Sequence, residues 1–488
     1  MKHVLAVPAL VALLTACTVG PDYHRPDAPV PDSWKEAAGK WKVAEPKDQL
    51  SRGKWWEVFG DPGLSALEEQ LDVSNQTIAQ AEAQYRASGA IVRGARAAYY
   101  PTVTTSPAAI RGQGAQGKAS TSGTSAPTAT TYGLPFDASW QLDLFGGIRR
   151  NVEAGLAGEQ AAGANLEAVR LSMQTQLASL WFLLKGLDAG QQLLASNVEG
   201  YQKALELTTN RYRQGVVSGV DVAQAKTQLE TTRAQLTDLG IARAQQEHAI
   251  AVLIGKAPQG FTLPPIPLTV NPPAIPLGLP SGLVEMRPDV AAAERRMAAA
   301  NAQVGVATAA FFPSLTLTGS AGYQASSLTD FFSLPNRFWS LGPAFLATLF
   351  DGGRLRAVKA QTVASYDATV AAYRATVLGA LQEVEDNLVA LRLLEVESAQ
   401  QAEAVTAAEK ALSIAKNRYN VGVTTYLEVV TAQIVALSAE KSAVEIATRR
   451  MTASVGLVRA LGGGWRAEEA PPPASADAGL AARAGASR

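Results

Sequence analysis

Apolar residues between Met173 and Tyr212 recur at alternating steps of four and three: Met173, Leu177, Leu180, Leu184, Leu187, Leu194, Val198, Tyr201, Leu205 and Tyr212. Gln191 and Thr208 are the polar members of the series. A repeat of 3.5 residues makes one narrow seam, the signature of a coiled coil rather than of a helix lying on a globular core. Helical patterning runs from about Gly147 to Tyr212, which at 1.5 Å per residue is a rod of roughly 100 Å. A second seam, Leu427, Val430, Ile434, Leu437, Val444, Met451, Val455 and Val458, is interrupted at Lys441 and Thr448. Rods of this length must lie against other rods, and the chain has to supply them.

In four segments the period changes to two, which predicts strands at 101–112, 131–144, 313–325 and 338–350. The second puts Tyr132, Leu134, Phe136, Ala138, Trp140, Leu142 and Leu144 on one face, with polar or small residues on the other. In the third, Leu315, Leu317, Gly319, Ala321 and Tyr323 oppose Thr316, Thr318, Ser320, Gly322 and Gln324. In the fourth, Trp339, Leu341, Pro343 and Phe345 share a face, and the first is the weakest of the set. Strands of about ten residues, apolar outside and polar inside, fit a transmembrane β-barrel with a wet lumen. A half-buried sheet in a soluble protein gives the same alternation. Four strands cannot close a barrel, and open edges are not tolerated in lipid. Several chains are therefore needed, and three supply about twelve strands.

The chain is also two copies of one plan. Tyr99-Tyr100-Pro101 returns as Phe311-Phe312-Pro313, Phe145-Gly146-Gly147 as Asp351-Gly352-Gly353, and Arg211-Tyr212 to Val216 as Arg418-Tyr419 to Val423. An offset of about 207 residues is too long for a solenoid unit and marks a duplicated domain. The organisation read from this has residues 61–255 as the first repeat and 288–461 as the second. A Pro-rich linker, 256–287, lies between them, and a disordered tail, 462–488, follows. Asp61-Pro62 reads as a helix start, with a single helix running to about Ala98.

Composition narrows the function classes. Lys+Arg and Asp+Glu both number 43, so net charge gives no sign of a nucleic-acid partner. Aromatics are only 7% of the chain against 47% hydrophobic residues, which suits close-packed long helices. No enzyme is expected: catalytic and phosphate-loop motifs are missing, and no cofactor or metal site is indicated. The one cysteine, Cys17, excludes an intrachain disulfide. It follows Lys2 and an apolar run from Val4 to Leu14, so residues 1–16 read as a signal peptide. Leu14-Thr15-Ala16-Cys17 resembles a bacterial lipobox, which implies Cys17 as a lipidation site; the plainer reading is an ordinary secretory signal that contains a cysteine. Residues 17–60 are then a lipidated, extended N-terminal segment. Thr18, rather than Asp, after the cysteine favours the outer membrane.

Taken in order, these residues resemble the outer-membrane factors of tripartite efflux, the TolC-like proteins, and among them the OprM-like, NodT-type lipoprotein branch. The likeness lies in Cys17-Thr18-Val19-Gly20-Pro21-Asp22-Tyr23, in the tips at Arg211–Val222 and Arg418–Val429, and in Leu461-Gly462-Gly463-Gly464-Trp465. The resemblance implies an α+β membrane protein, internally duplicated. A homotrimer would build a long helical coiled-coil tunnel in the periplasm and a transmembrane β-barrel in the outer membrane. It also implies a passive duct that receives small molecules from a periplasmic adaptor (membrane fusion protein) and an inner-membrane pump of the resistance-nodulation-division (RND) kind. Two other readings stand beside it: a duct for type I protein secretion, and a coiled-coil lipoprotein tethering the envelope layers.

In the OprM-like branch, gating involves a tyrosine of the Arg-Tyr motif and then an acidic and a basic residue on the return helix. The resemblance puts the tyrosine at Tyr419, with Tyr212 as its counterpart. The acidic position falls on Thr431 and the basic one on Ile434, so this chain departs from the pattern at both. Asp221 and Glu428 are the nearest acids. They sit where negative charge favours a helix start, or they face the lumen. The turns Gly215-Val216 and Gly422-Val423 are the adaptor-contact candidates.

Overall fold

The computed structural model describes residues 18–27, 31, 33–35, 54–113, 128–268, 272–273, 275 and 287–464. The expected signal peptide, Cys17, and the tail beyond residue 464 lie outside them, as do parts of the first strand loop and of the Pro-rich linker. Among these residues seven α-helices and five strands follow in chain order. Helices α1 (Pro62–Ser74) and α2 (Gln76–Ala97) lead into β1 (Thr102–Thr105), β2 (Ala108–Gln113) and β3 (Thr128–Leu142). The first long pair is α3 (Gly147–Arg213) and α4 (Gly219–Leu253). The second half repeats this order with α5 (Pro288–Ala309), β4 (Ser314–Ala325), β5 (Arg337–Leu346), α6 (Arg354–Asn420) and α7 (Tyr426–Ala460). The long helices α3 and α6 have 67 residues each and their return helices 35 each. At 1.5 Å per residue α3 and α6 are rods of about 100 Å.

Asp61 starts α1 by accepting from the Gly63 and Leu64 N–H groups. The single helix expected to Ala98 is two. Asn75 ends α1 and caps α2, its Oδ1 accepting from Thr77 and Ile78, while its Nδ2 donates to the Leu253 carbonyl. A short amide side chain that competes for backbone N–H groups breaks the run there.

One antiparallel sheet joins the halves, ordered β1-β3-β4-β5, with β2 also on β3. The register aligns the apolar residues: Trp140 stands opposite Leu317 and Leu317 opposite Pro343, while Phe136 stands opposite Ala321 and Ala321 opposite Trp339. Three expected strands are corrected. The 101–112 segment is interrupted at Ser106-Pro107, although its register continues from Thr105 opposite Phe136 to Ala108 opposite Gly133. Pro107, and Pro135 facing the break, have no N–H to give the ladder. The last strand ends at Leu346 rather than residue 350, because its partner β4 begins at Ser314, opposite Leu346. The strand after the loop ends at Leu142, two residues early, since Asp143 turns to cap α3 through the Ile148 and Arg149 N–H groups. Asp351 does the same for α6. Among the described residues both edges of the sheet, β1/β2 and β5, are open.

Along the helices, α2, α3, α5 and α6 pack side by side next to the sheet, and α3/α4 and α6/α7 pair towards the far end. Most of the α3 seam is buried or half-buried, but Tyr212 is exposed. The α7 seam near its start is shifted by one position. Tyr426, Val429, Gln433 and Ala436 are buried against this chain, whereas Leu427 and Ile434 are 55% and 51% exposed.

The main core lies at the equator of the rods, where Trp55, Trp56 and Phe59 meet Leu64, Leu71, Trp181, Phe182 and the α6/α7 helices. Two polar features sit inside it. Asp61 and Lys185 form a buried ion pair at 2.8 Å, and Trp181 Nε1 also donates to Asp61 at 3.1 Å. Glu68 is fully buried, and neither carboxylate oxygen has a hydrogen-bond partner among the described residues.

Burial, with Asp72 one turn on, pushes the Glu68 carboxyl well above the ordinary carboxylate value. As pH rises past 4.5 the unfolded chain gives up this proton before the folded one does. Its contribution is therefore most favourable below the ordinary value of 4.5 and is lost as pH rises from there through the raised value. Glu68→Leu is expected to stabilise the protein by about 1–3 kcal/mol at neutral pH. It should also flatten the difference between unfolding curves taken at about pH 5 and about pH 8.

The N-terminal segment is a strap. The Val19 N–H donates to the Phe145 carbonyl at the base of the sheet. Arg150, buried, donates to the Val19 and Gly20 carbonyls and to Asp22. Further along, Asn301 donates to the Pro21 carbonyl, Tyr23 donates to Glu294, and Arg25 donates to the Tyr373 hydroxyl of α6. The strap thus descends from the sheet to the equator. The described part of the linker is fixed at the same level: Ile266 N–H donates to Asp188, Leu263 N–H donates to Glu247, and Arg243 pairs with Asp188 at 2.6 Å.

Candidate functional site at the helical tips

Both long helices end in the same turn. After α3 the Gly215 N–H donates to the Tyr212 carbonyl and the Val216 N–H to the Arg211 carbonyl, each at 2.9 Å. After α6 Gly422 donates to Tyr419 at 3.0 Å and Val423 to Arg418 at 2.9 Å. These paired bonds close a Schellman turn. They need a left-handed residue, and Gly215 has φ +74° and Gly422 φ +80°. A β-carbon there costs about 1–2 kcal/mol, so the turn requires both glycines. Val216 and Val423 stand out at the two apices, each 66% exposed.

The return helices start differently. At α4, Ser218 and Asp221 form a capping box: the Ser218 N–H donates to the Asp221 carboxylate at 3.0 Å, and the Asp221 N–H donates to Ser218 Oγ at 3.4 Å. Asp221 is therefore engaged at the helix start. At α7, Thr425 gives no side-chain cap, and Glu428 is exposed in the first turn. Thr431, also exposed, donates its hydroxyl back to the Leu427 carbonyl at 2.9 Å.

The two tips are joined to each other. Arg211, from the first, donates to the Asn420 carbonyl at 3.1 Å and to the Tyr419 carbonyl at 3.5 Å, with its guanidinium 5.2 Å from the centre of the Tyr419 ring. On the other side, the Tyr426 ring meets Tyr419 edge-on at 5.2 Å. Ala225, Ala415 and Val429 complete this small core. Burial, followed by the nearby Tyr419 and Tyr201 and the Asp221 carboxylate, pushes the Tyr426 hydroxyl up to about 12, so it stays neutral. Three buried polar atoms here, Tyr419 Oη, Thr424 Oγ1 and Gln433 Oε1, have no partner among the described residues.

The two repeat tyrosines thus occupy unlike places. Tyr419 is 7% exposed and Tyr212 51%. Tyr212 lies over Gly219, the first residue of α4, and Tyr419 lies on Tyr426, the first residue of α7. The chain has a glycine at one return-helix start and a second aromatic at the other, and only the latter encloses its tyrosine. Of the residues singled out from sequence, Tyr419 belongs to this inter-tip contact. Thr431, Ile434 and Glu428 lie on exposed positions of α7, outside it. Arg211 and Tyr426 complete the contact and were not among the candidates. Arg211 stands in the repeated Arg-Tyr motif, but nothing in the sequence says that its partner is 208 residues away.

The model of the outer membrane efflux protein family matches residues 67–256 and 279–463. The chain belongs to the outer membrane efflux protein family. It is 31% identical over 480 residues to the pyoverdine export outer membrane protein OpmQ of Pseudomonas aeruginosa, covering 96% of this chain and 98% of OpmQ. It is also 31% identical over 471 residues to the outer membrane protein OprJ of the same organism, covering 95% and 97%. Among solved structures, the outer-membrane channel OprN superposes with a TM-score of 0.85 at 32% identity, over 92% of this chain and all of that one. The protein is an outer-membrane efflux channel, and its chain is mostly helical with a small sheet at one end. Among the described residues no helix is long and apolar enough to cross a membrane.

Proposed function

We propose that three copies of the chain close one duct, with a twelve-stranded barrel in the outer membrane and a helical tunnel below it, through which small molecules leave the cell. The observation that carries this is the sheet. Its apolar face is in register and exposed, with Trp339 75%, Leu341 69% and Phe345 66% exposed, and both its edges are open. Such a face suits lipid, and such edges suit closure by further copies. The exposed seam residues Leu427 and Ile434 likewise suit a neighbouring helix pair.

Cys17 carries the lipid on this reading. Thr18, the next residue, packs against Gly146 and accepts from Arg149 at the base of the sheet, beside the membrane level. A periplasmic adaptor engages the tips, where Val216 and Val423 offer exposed apolar knobs beside Gly215 and Gly422. An RND-type inner-membrane pump drives the cargo. Relatives are named for pyoverdine export, toluene efflux and antibiotic efflux, which supports small molecules in general as cargo. Closure at the tip is assigned to the Arg211–Tyr419 contact. With Thr431 and Ile434 uncharged, it does not depend on an ion-pair lock on α7. Tyr212, Asp221 and Glu428 take the surrounding positions.

The test is a cross-link between edges. Thr104 of β1 and Ala344 of β5 both lie on the polar face. A Thr104→Cys, Ala344→Cys variant is treated with a bis-maleimide reaching about two strand spacings, ~10 Å. It should run as a covalent trimer on denaturing gels, while neither single variant does. A ladder that stops at dimer, or no cross-link in folded protein, refutes closure by three chains.

A further inference from the structure

Positive charge is concentrated where the helices meet the sheet. The chain as a whole has equal numbers of basic and acidic residues. In the turns next to the sheet the balance is lost: α2 ends with Arg93 and Arg96, α3 begins with Arg149 and Arg150, and α6 begins with Arg354, Arg356 and Lys359. Connectivity puts these helix ends at one level, because each runs directly into or out of a strand. The only carboxylate in the same three helical turns is Glu153, which is paired with Arg150. Asp143 and Asp351 precede the helices, and both accept from backbone N–H groups at the helix starts.

Apart from Arg150, these cations are not in ion pairs among the described residues. Five of them are exposed, and Lys359 is half-buried over the Phe311 ring. Immediately on the sheet side lies a row of exposed aromatics: Tyr100 is 71% and Phe350 91% exposed, with Phe311 and Phe312 about half as much. An aromatic row with cations just outside it matches the border of a bilayer, where rings sit at headgroup depth and guanidinium groups meet phosphate.

We propose that Arg93, Arg96, Arg149, Arg354, Arg356 and Lys359 form a cationic collar that binds the phosphodiester headgroups of anionic phospholipid on the periplasmic face of the outer membrane. The proposal rests on the sheet being the membrane-embedded part. Arginine is suited to this role because its planar fork meets two phosphate oxygens at once. Arg149 also holds Thr18, so the collar fixes the strap and the headgroup plane at the same level.

The test uses the full-length protein in neutral detergent, with short-chain phosphatidylglycerol, the matching phosphatidylcholine, and inorganic phosphate as probes. Phosphatidylglycerol should raise the melting temperature by several degrees; the other two should not, and salt should weaken the effect. In the variant carrying Arg149→Gln, Arg354→Gln, Arg356→Gln and Lys359→Gln, the apparent affinity should fall about tenfold or more. Lysine at the three arginine positions should retain most of it, which separates lost charge from lost fold. Equal shifts with both lipids, a shift reproduced by inorganic phosphate alone, or full affinity in the glutamine variant would overturn the collar. Wild-type protein that shows the lipid shift but conducts no ions in a planar bilayer would count against the duct reading and leave the collar standing.

Discussion

Arg211→Ala should open the channel: in a planar bilayer its mean conductance rises several-fold to tenfold over a wild type that is mostly closed. Arg211 is the bond between the two tips. Its donation to the Asn420 and Tyr419 carbonyls and its position over the Tyr419 ring hold the end of α3 to the end of α6. A charged donor to a carbonyl contributes about 1.5–3 kcal/mol when well enclosed, and an exposed cation–π contact about 0.5–1. The Asn420 bond is exposed and the Tyr419 bond is long, so about 1–2 kcal/mol per chain is the reasonable total. That is on the order of tenfold in the ratio of closed to open tips.

Tyr419→Ala should act in the same direction. Tyr419→Phe should leave the channel closed, because the hydroxyl has no hydrogen-bond partner among the described residues to lose. Arg233→Ala is the control. Arg233 pairs with Glu230 and Gln202 along α3/α4, away from the tips, and its loss should not change conductance.

The second large effect is on stability. Asp61→Ala should destabilise the protein by about 3–5 kcal/mol, because it leaves the Lys185 ammonium buried without its partner. The same carboxylate caps α1 and accepts from Trp181 and Lys185 of α3, so the loss is felt in both helices. Adding Lys185→Met in the Asp61→Ala background should recover part of the loss, since the unpaired charge is then gone.

The pair also sets an acid limit. Burial opposes ionisation of Asp61, but Lys185, the Trp181 N–H and the Leu64 N–H outweigh it and hold the carboxyl below its ordinary value of 3.8. A lowered carboxyl contributes stability that is present above 3.8 and lost as pH falls below it. Thermal unfolding of the wild type and Asp61→Ala should therefore converge in strong acid. Glu68 in the same core runs the other way and favours low pH.

The rods and the strand faces were legible in the sequence because both are periodic. A seam kept over twelve positions, or an alternation kept over ten, is a long-range average that single residues cannot hide. Local competition was less visible. Asn75 divides a helix whose apolar pattern continues across it, and Pro107 interrupts a strand without changing its register. At the start of α7 the seam read as Leu427, Val430 and Ile434 is turned outward by one position. Tyr426, a large ring at the first helical residue, takes the inner place and sets the rotation of that turn. The inter-tip contact was hardest to read. The Arg-Tyr motif occurs twice, and sequence alone treats the two copies as equivalent. Only packing distinguishes Tyr419, enclosed by Arg211 and Tyr426, from Tyr212, which has Gly219 beneath it and remains exposed.

The measurement that tests the central claim most directly is single-channel conductance of the purified, folded protein, wild type beside Arg211→Ala. A gated duct predicts a small, mostly closed conductance that rises several-fold to tenfold in the variant. No conductance from either protein would contradict the duct. Equal conductance from both would contradict closure by the Arg211–Tyr419 contact.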